Sequence, residues 1–230
     1  KQVFLSSNAE VAVANHVLIG IPTLGVGGVT PGNVKIVAIL AKLNDISKNV
    51  ISKFDANTVL NFVIEWAKEF DSELYELINA DTDYALKIFT IDRDVPKPRK
   101  DIAKWNEVKD YVSYFYDSIF ENEYILPEHI SNADAVKILE LYKNVYDEND
   151  DRNAWFDKIK SICPEAGFCP EVKLYKANPE SYRGHSGDAA TIIRVAITGR
   201  TNSPDLCEIM KVLGKDRIMA RIDAAISHFE

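Results

Sequence analysis

The sequence lacks the features of a disulfide scaffold, a metal knuckle or a membrane anchor. Its 230 residues include three cysteines at irregular spacing, Cys163, Cys169 and Cys207. An odd number at such spacing is neither a disulfide framework nor a C-x-x-C ligand pair, and it favours reduced cytoplasmic thiols. The apolar stretch 10–41 is interrupted by proline, asparagine and lysine. It falls short of the roughly 20 consecutive apolar residues of a spanning helix, so we expect no membrane contact.

An excess of positive charge is also missing. The chain carries 27 lysines and arginines against 35 acidic residues, a formal net charge of −8. Proteins that neutralise phosphates usually present a basic patch, so this balance argues against nucleic-acid binding. Because charge acts over roughly 10 Å at 0.1 M salt, a locally basic face remains compatible with an acidic chain.

Motifs for catalysis or phosphate binding are scarce as well. The glycines of residues 25–28 are followed by Val29, Thr30 and Pro31, which is neither a dinucleotide fingerprint nor a P-loop and favours a flexible turn. None of the four histidines pairs with another at metal spacing. His185 precedes a predicted helix, where a structural or substrate-contacting role is favoured over catalysis.

What is present is mainly helical patterning. Residues 1–44 contain small and β-branched residues broken by glycines, which predicts irregular packing or short strands and no long helix. Residues 45–128 and 129–230 carry apolar residues at three-four spacing, which predicts two helical subdomains and an all-α bundle. The aromatic stripe within residues 108–120 indicates one helix that faces the core.

Capping residues predict where several helices begin and end. Asp55 is expected to cap a helix, and Gly199 and Gly214 are expected to end two others. Ser203 is predicted to cap the helix after Gly199, with Pro204 at its first position.

Two basic groups are candidates for nucleic-acid contact. The first lies in a proline-containing loop beside Trp105 and consists of Lys97, Arg99, Lys100 and Lys104. A nucleic-acid backbone favours such a patch with a nearby aromatic, although a solvated loop is an equal alternative. The second centres on Arg194, which lies among apolar residues and can offer a fixed donor fork to a base edge or phosphate; a salt bridge is the alternative.

The same region carries a family resemblance. Residues 193–206 read IRVAITGRTNSPDL and residues 213–218 read LGKDRI. These motifs, with their spacing, resemble the carboxy-terminal signature of bacterial glutamyl-tRNA synthetases. Residues 42–52 and 97–105 look like the middle region of clostridial-type members, so the resemblance covers residues 42–230.

The resemblance implies a fold and a set of contacts. It implies an all-α helical bundle of the class I glutamyl-tRNA synthetase anticodon-binding (α-helical cage) type, with an irregular amino-terminal segment. Residues 45–128 would be its tRNA stem-contact subdomain and residues 129–230 its anticodon-binding subdomain. Arg194 and Ser203 match the positions that contact anticodon bases. To these we add Arg200 for phosphate contact, and Lys97, Arg99, Lys100 and Lys104 for the tRNA backbone.

The implied function is the tRNA-binding part of a glutamate–tRNA ligase acting on tRNA(Glu). The H-I-G-H and K-M-S-K-S type motifs of that family are not found in the sequence, so we expect no catalysis and no cofactor in this chain. ATP and magnesium are expected for a full-length enzyme. We expect a cytoplasmic monomer, and the alternative function is a protein-interaction module built on the same helical cage.

Overall fold

The computed structural model describes the backbone of residues 31–230 and the side chains of residues 39–230. Over this range the chain is helical, and the only extended pairing there is an isolated bridge between Cys169 and His185. By its internal contacts the chain divides into a first unit that ends at Val112 and a second unit, Ser113–Glu230. The predicted all-α class is confirmed. No helix among the described residues is both long enough and apolar enough to cross a bilayer.

The first unit contains five α-helices within the described residues. They are α1 (Pro31–Ile51), α2 (Ala56–Phe70), α3 (Ser72–Ala80), α4 (Thr82–Thr90) and α5 (Val108–Val112), the last preceded by a 3-10 turn, Trp105–Glu107. The side chains of Asp55, Asp71 and Asp81 accept hydrogen bonds from backbone N–H groups at the starts of α2, α3 and α4, which confirms Asp55 as a cap.

The prediction of irregular structure up to residue 44 is wrong for residues 31–44, which belong to the long helix α1. Pro31 occupies the first helical position, where its missing N–H costs nothing, and no glycine or proline follows Gly32 within the helix. Ser47 and Ile51 are buried near its carboxy-terminal end, whereas Ile39 and Ile46 are exposed. The glycine turn at residues 25–28 lies outside the described residues.

The second unit is a helical bundle. Its helices are α6 (Asn132–Val145), α7 (Arg152–Ile162), α8 (Val172–Ala177), α9 (Ser186–Thr198), α10 (Leu206–Leu213) and α11 (Lys215–Phe229). Helix α6 packs against α7, α9 and α11, and α10 packs against α7 and α11. In the core, Trp155 donates to the Tyr142 hydroxyl at 2.8 Å, and that hydroxyl lies 3.7 Å from the sulfur of Met210.

The single helix predicted over residues 108–120 is wrong in length. The chain forms α5 and then a 3-10 turn, Ser113–Phe115, before it leaves helical structure. Arginine side chains of α11 bind the carbonyls of Tyr114 and Phe115, so these groups have partners outside a helix. Val108, Val112, Tyr114 and Phe115 are nevertheless buried, in keeping with a core role for the stripe.

Along the sequence, the boundary between the compact units falls between Val112 and Ser113. The predicted boundary between subdomains falls between residues 128 and 129. Packing alone does not test a division by role in tRNA contact. The assignment of tRNA stem contact to residues 45–128 and of anticodon contact to residues 129–230 therefore stays a prediction.

Candidate nucleic-acid interface

The turn between α9 and α10 carries two of the predicted site residues, Arg200 and Ser203, and the third, Arg194, lies on α9 just before it. Helix α9 ends at Gly199, which adopts a left-handed conformation with φ 69° and donates its N–H to the Val195 carbonyl. A β-carbon at Gly199 would lie 3.3 Å from the Asn122 side chain, so both conformation and space favour glycine there. This confirms the predicted end of α9 and fixes where residues 200–205 leave it.

Arg194 and Ser203 are brought together across this turn. Nη1 of Arg194 donates to the Pro204 carbonyl at 3.1 Å, to the Ser203 carbonyl at 3.4 Å and to the Ser203 hydroxyl. That hydroxyl in turn donates to the Pro204 carbonyl at 2.9 Å. These contacts join the Arg194 side chain to backbone carbonyls of the turn. The guanidinium holds the backbone of the turn in one conformation.

The predicted capping role of Ser203 is wrong. Helix α10 begins at Leu206, and its cap is Asp205, whose carboxylate accepts from the Glu208 N–H at 3.0 Å. A carboxylate at this position satisfies an N–H group and also interacts favourably with the helix dipole. Ser203 is buried two residues earlier, where its hydroxyl belongs to the Arg194 contact.

Arg200 lies immediately after Gly199 and is directed differently. Its Nη2 donates to the Ser113 hydroxyl at 3.3 Å, and its guanidinium lies 5.5 Å from the centroid of the Tyr114 ring. Its backbone N–H donates to the Thr198 hydroxyl. A half-exposed guanidinium beside an aromatic ring can bind a phosphate with little further ordering, in keeping with the predicted role.

Sequence patterning missed the structural use of Arg221. It is only 7% exposed, and Nη1 donates to the carbonyls of Tyr114 and Ile197 at 2.7 Å each. Nη2 donates to Asp117 at 2.6 Å, and the guanidinium lies 3.9 Å from the Phe120 ring centroid. One turn earlier on α11, Arg217 donates to the Phe115 carbonyl at 3.0 Å. These two arginines therefore join α11 to the segment 114–117, and Arg221 also binds the end of α9.

The basic loop of the first unit lies after α4, and the structure confirms that it is not helical. Lys97 and Lys100 are exposed, and no ion pair involves either among the described residues. Arg99, in contrast, donates to both carboxylate oxygens of Asp101, at 2.7 and 3.0 Å. Lys104 lies 3.5 Å from Glu107. The loop thus offers two unpaired lysines, and Arg99 is available to phosphate only in competition with Asp101.

Charge is divided sharply along the first unit. Residues 55–92 contain nine acidic side chains and two lysines, whereas residues 93–104 contain five basic and two acidic side chains. Residues 93–104 are therefore a locally basic stretch within an acidic chain, which is what nucleic-acid binding by such a chain would require. A polyanion is repelled by one stretch and attracted by the other.

No further chemistry competes with this role among the described residues. His185 caps α9, because its Nδ1 accepts from the Gly187 and Asp188 N–H groups, which confirms a structural use.

A possible ligand group of Asp205, Cys207 and Glu208 is the one cluster with metal-like spacing in the described part of the chain. Arg152 lies 3.3 Å from Asp205 and 3.6 Å from Glu208, and Lys211 lies 3.3 Å from Glu208, so both carboxylates already have cationic partners. Burial raises the pKa of Cys207, which opposes a thiolate ligand.

Residues 181–226 match the family model described as an anticodon binding domain. That range contains Arg194, Arg200 and Ser203, together with the two arginines of α11.

Several glutamate–tRNA ligases match a longer part of the chain. The glutamate–tRNA ligase of Acetivibrio thermocellus is 41% identical over 183 residues, which are 80% of this chain and 34% of that protein. Those of Clostridium perfringens strain 13 and Clostridium beijerinckii are 40% and 42% identical over 187 and 189 residues, with the same coverage. The chain therefore spans about a third of the length of these relatives. The predicted resemblance to clostridial-type glutamyl-tRNA synthetases is confirmed.

Proposed function

We propose that this chain binds the anticodon arm of tRNA(Glu) and serves as the tRNA-reading part of a glutamate–tRNA ligase. The observation that carries the proposal is the turn held by Arg194 at Ser203 and Pro204, within the stretch that matches an anticodon binding domain. A turn fixed in this way presents donors in one geometry, which base recognition requires.

Binding supplies position rather than chemistry. A protein that holds the distal arm of tRNA sets where the acceptor end lies, and the reaction gains from that orientation. The chain needs no cofactor for this role. ATP and magnesium belong to the aminoacylation reaction of a whole ligase. We expect the chain to act in the cytoplasm as a monomer.

Arg194 and Ser203 should contribute unequally to anticodon discrimination. A base that approaches Ser203 meets a buried hydroxyl that already accepts from Arg194 and donates to the Pro204 carbonyl. We therefore expect Arg194 to provide the larger part of anticodon discrimination. Ser203 acts mainly by holding Arg194 and the turn in place.

The test is binding of the purified chain to tRNA(Glu) and to an anticodon-changed tRNA at two salt concentrations. We expect binding that weakens with salt, and a preference for tRNA(Glu) that Arg194→Ala reduces by about tenfold to a hundredfold, the worth of one good base contact. Arg194→Lys keeps the charge but not the fork and should restore little preference. Ser203→Ala should have a smaller effect.

Arg183→Ala is the matched control, since it removes one positive charge from the same unit at an exposed arginine that pairs with Asp134. Equal binding of both tRNAs by the unaltered chain would contradict anticodon reading. A chain that binds neither tRNA but captures a protein would favour the protein-interaction module. The acidic stretch 55–92 is the surface that such a module would use.

A further inference from the structure

A cleft in the first unit collects positive groups from elements that are distant in sequence. It is an open cleft between the carboxy-terminal part of α1 and the loop after α4. Lys48 of α1, Arg93 and Lys100 line it together. Lys48 lies 45 residues or more from the others in sequence, so no linear motif brings them together.

Arg93 is held rigidly in this cleft. Its Nε donates to the Phe89 carbonyl at 3.0 Å, and its Nη1 donates to the carbonyls of Ile51 and Phe54 at 2.9 and 3.2 Å. Its Nη2 has no hydrogen-bond acceptor among the described residues. An arginine whose ordering is already complete binds an anion at a low entropic cost.

The two lysines of the cleft are also unpaired within the described residues. Lysines elsewhere in this chain commonly face carboxylates, as Lys109 faces Asp71 and Glu73, and Lys158 faces Asp150. Neither Lys48 nor Lys100 has such a partner. Of the two carboxylates that line the cleft, Asp101 is neutralised by Arg99, which leaves Asp92 against three positive groups.

We propose that this cleft binds one phosphate group of the tRNA backbone and that Lys48 is a tRNA-contacting residue. This inference deepens the proposed function and rests on it. A backbone phosphate carries one negative charge and two unesterified oxygens, each of which can accept more than one hydrogen bond, so Arg93 Nη2 and the two ammonium groups can bind it together. The cleft thereby adds a contact from α1 to the exposed lysines of the basic loop.

The test measures the salt dependence of tRNA(Glu) binding by the full chain. Each phosphate neutralised contributes about 0.9 to the slope of log K against log salt concentration on a duplex. Lys48→Gln and Lys100→Gln should each lower the magnitude of the slope by about one and weaken binding to tRNA(Glu) and anticodon-changed tRNA alike. Lys68→Gln removes the same charge from an exposed position on α2 outside the cleft and should leave the slope unchanged.

A parallel titration with inorganic phosphate, followed by NMR of the Asp92, Arg93 and Lys100 amides, distinguishes the source of the phosphate. Weak binding of the free ion that competes with tRNA supports the inference. Phosphate binding with unaltered tRNA slopes in both variants would make the cleft a small-anion site and overturn it. If tRNA binds with anticodon preference while both slopes are unchanged and phosphate does not bind, the inference fails and the proposed function stands. If the unaltered chain binds no tRNA, both fail.

Discussion

Each unit of the molecule contains an arginine that binds backbone carbonyls, and the two arginines differ in how they are enclosed. Arg221 in the second unit also meets Asp117 and lies under the ring of Phe120. Arg93 in the first unit binds three carbonyls and has no carboxylate hydrogen-bonded to it among the described residues. Burial lowers the pKa of Arg93, although a guanidinium remains charged at neutral pH. We call the enclosed contacts of Arg221 a closed joint, and those of Arg93, which can still accept an anion, an open joint.

The largest effect expected from this comparison is on stability. Arg221→Met should destabilise the second unit by about 3–5 kcal/mol, because two buried carbonyls lose their donor along with the carboxylate contact. Arg93→Met should cost the first unit less, about 2–3 kcal/mol, since the open cleft lets water reach the carbonyls that remain. Hydrogen exchange of amides in α9 and α11, and separately in α2 and α4, reports each unit. Equal losses in the two variants would remove the distinction between closed and open joints.

A second prediction extends the comparison to an arginine at the surface. Arg183 donates to Asp134 at 2.7 Å, with its side chain 63% exposed and that of Asp134 10% exposed. Burial alone would raise the pKa of Asp134, but the hydrogen bonds from Ser131 and Arg183 outweigh it, and the pKa is lowered. We expect Asp134→Asn to cost about 1 kcal/mol at neutral pH, a value reduced by solvent screening of the exposed partner.

The pH dependence of this loss has a definite sign. A carboxylate whose folded pKa lies below its unfolded value stabilises the fold above the unfolded pKa, here near 3.8, and the contribution is lost as pH falls through the folded pKa. Urea unfolding should therefore distinguish Asp134→Asn from the unaltered chain at pH 7, and the difference should shrink as pH falls below 3.8. Arg183→Gln is the matching variant from the other side of the pair. A difference that does not shrink with acidification would show that packing, not charge, is responsible.

An effect of similar size is expected in the turn that carries Arg200. Gly199→Ala should cost about 1–2 kcal/mol, because φ is 69° and the new β-carbon would lie 3.3 Å from the Asn122 side chain. Gly214→Ala differs, because no atom lies within 4 Å of the added carbon but φ 81° and ψ 156° lie in a region that is essentially confined to glycine. Its cost, about 1–3 kcal/mol, would be backbone strain alone. Thermal unfolding measures both. If Gly199→Ala cost less than about 1 kcal/mol, the lower limit for the left-handed conformation alone, the close contact at Asn122 would not contribute.

Local rules predicted much of this structure. The caps at Asp55 and Gly199 follow from residue type and neighbouring sequence, and the three-four apolar spacing places the main helices. Arg194 and Ser203 could be paired as site residues only through the family resemblance, because their contact depends on a turn of unforeseen shape. The cap at Asp205 competed with an equally suitable Ser203, and sequence alone did not separate them.

Long-range joints could not be predicted. Nothing in the sequence around Arg93 indicates that its acceptors are the carbonyls of Ile51 and Phe54, about forty residues away. The same holds for Arg221 and Tyr114, which are 107 residues apart. Helix α1 was missed for a different reason, since the glycines before it suggested that the irregular region continued.

The separation between Arg221 and its acceptors also orders the events of folding during synthesis. The contacts of Arg93 reach back 4, 39 and 42 residues, so its joint can close soon after residue 93 has left the ribosome. The contacts of Arg221 reach back 24 and 107 residues. The carbonyls of Tyr114 and Ile197 therefore lack this donor until translation has passed residue 221. During that interval the nascent chain has a first unit able to mature and a second unit whose exposed carbonyls and apolar surfaces are open to chaperones.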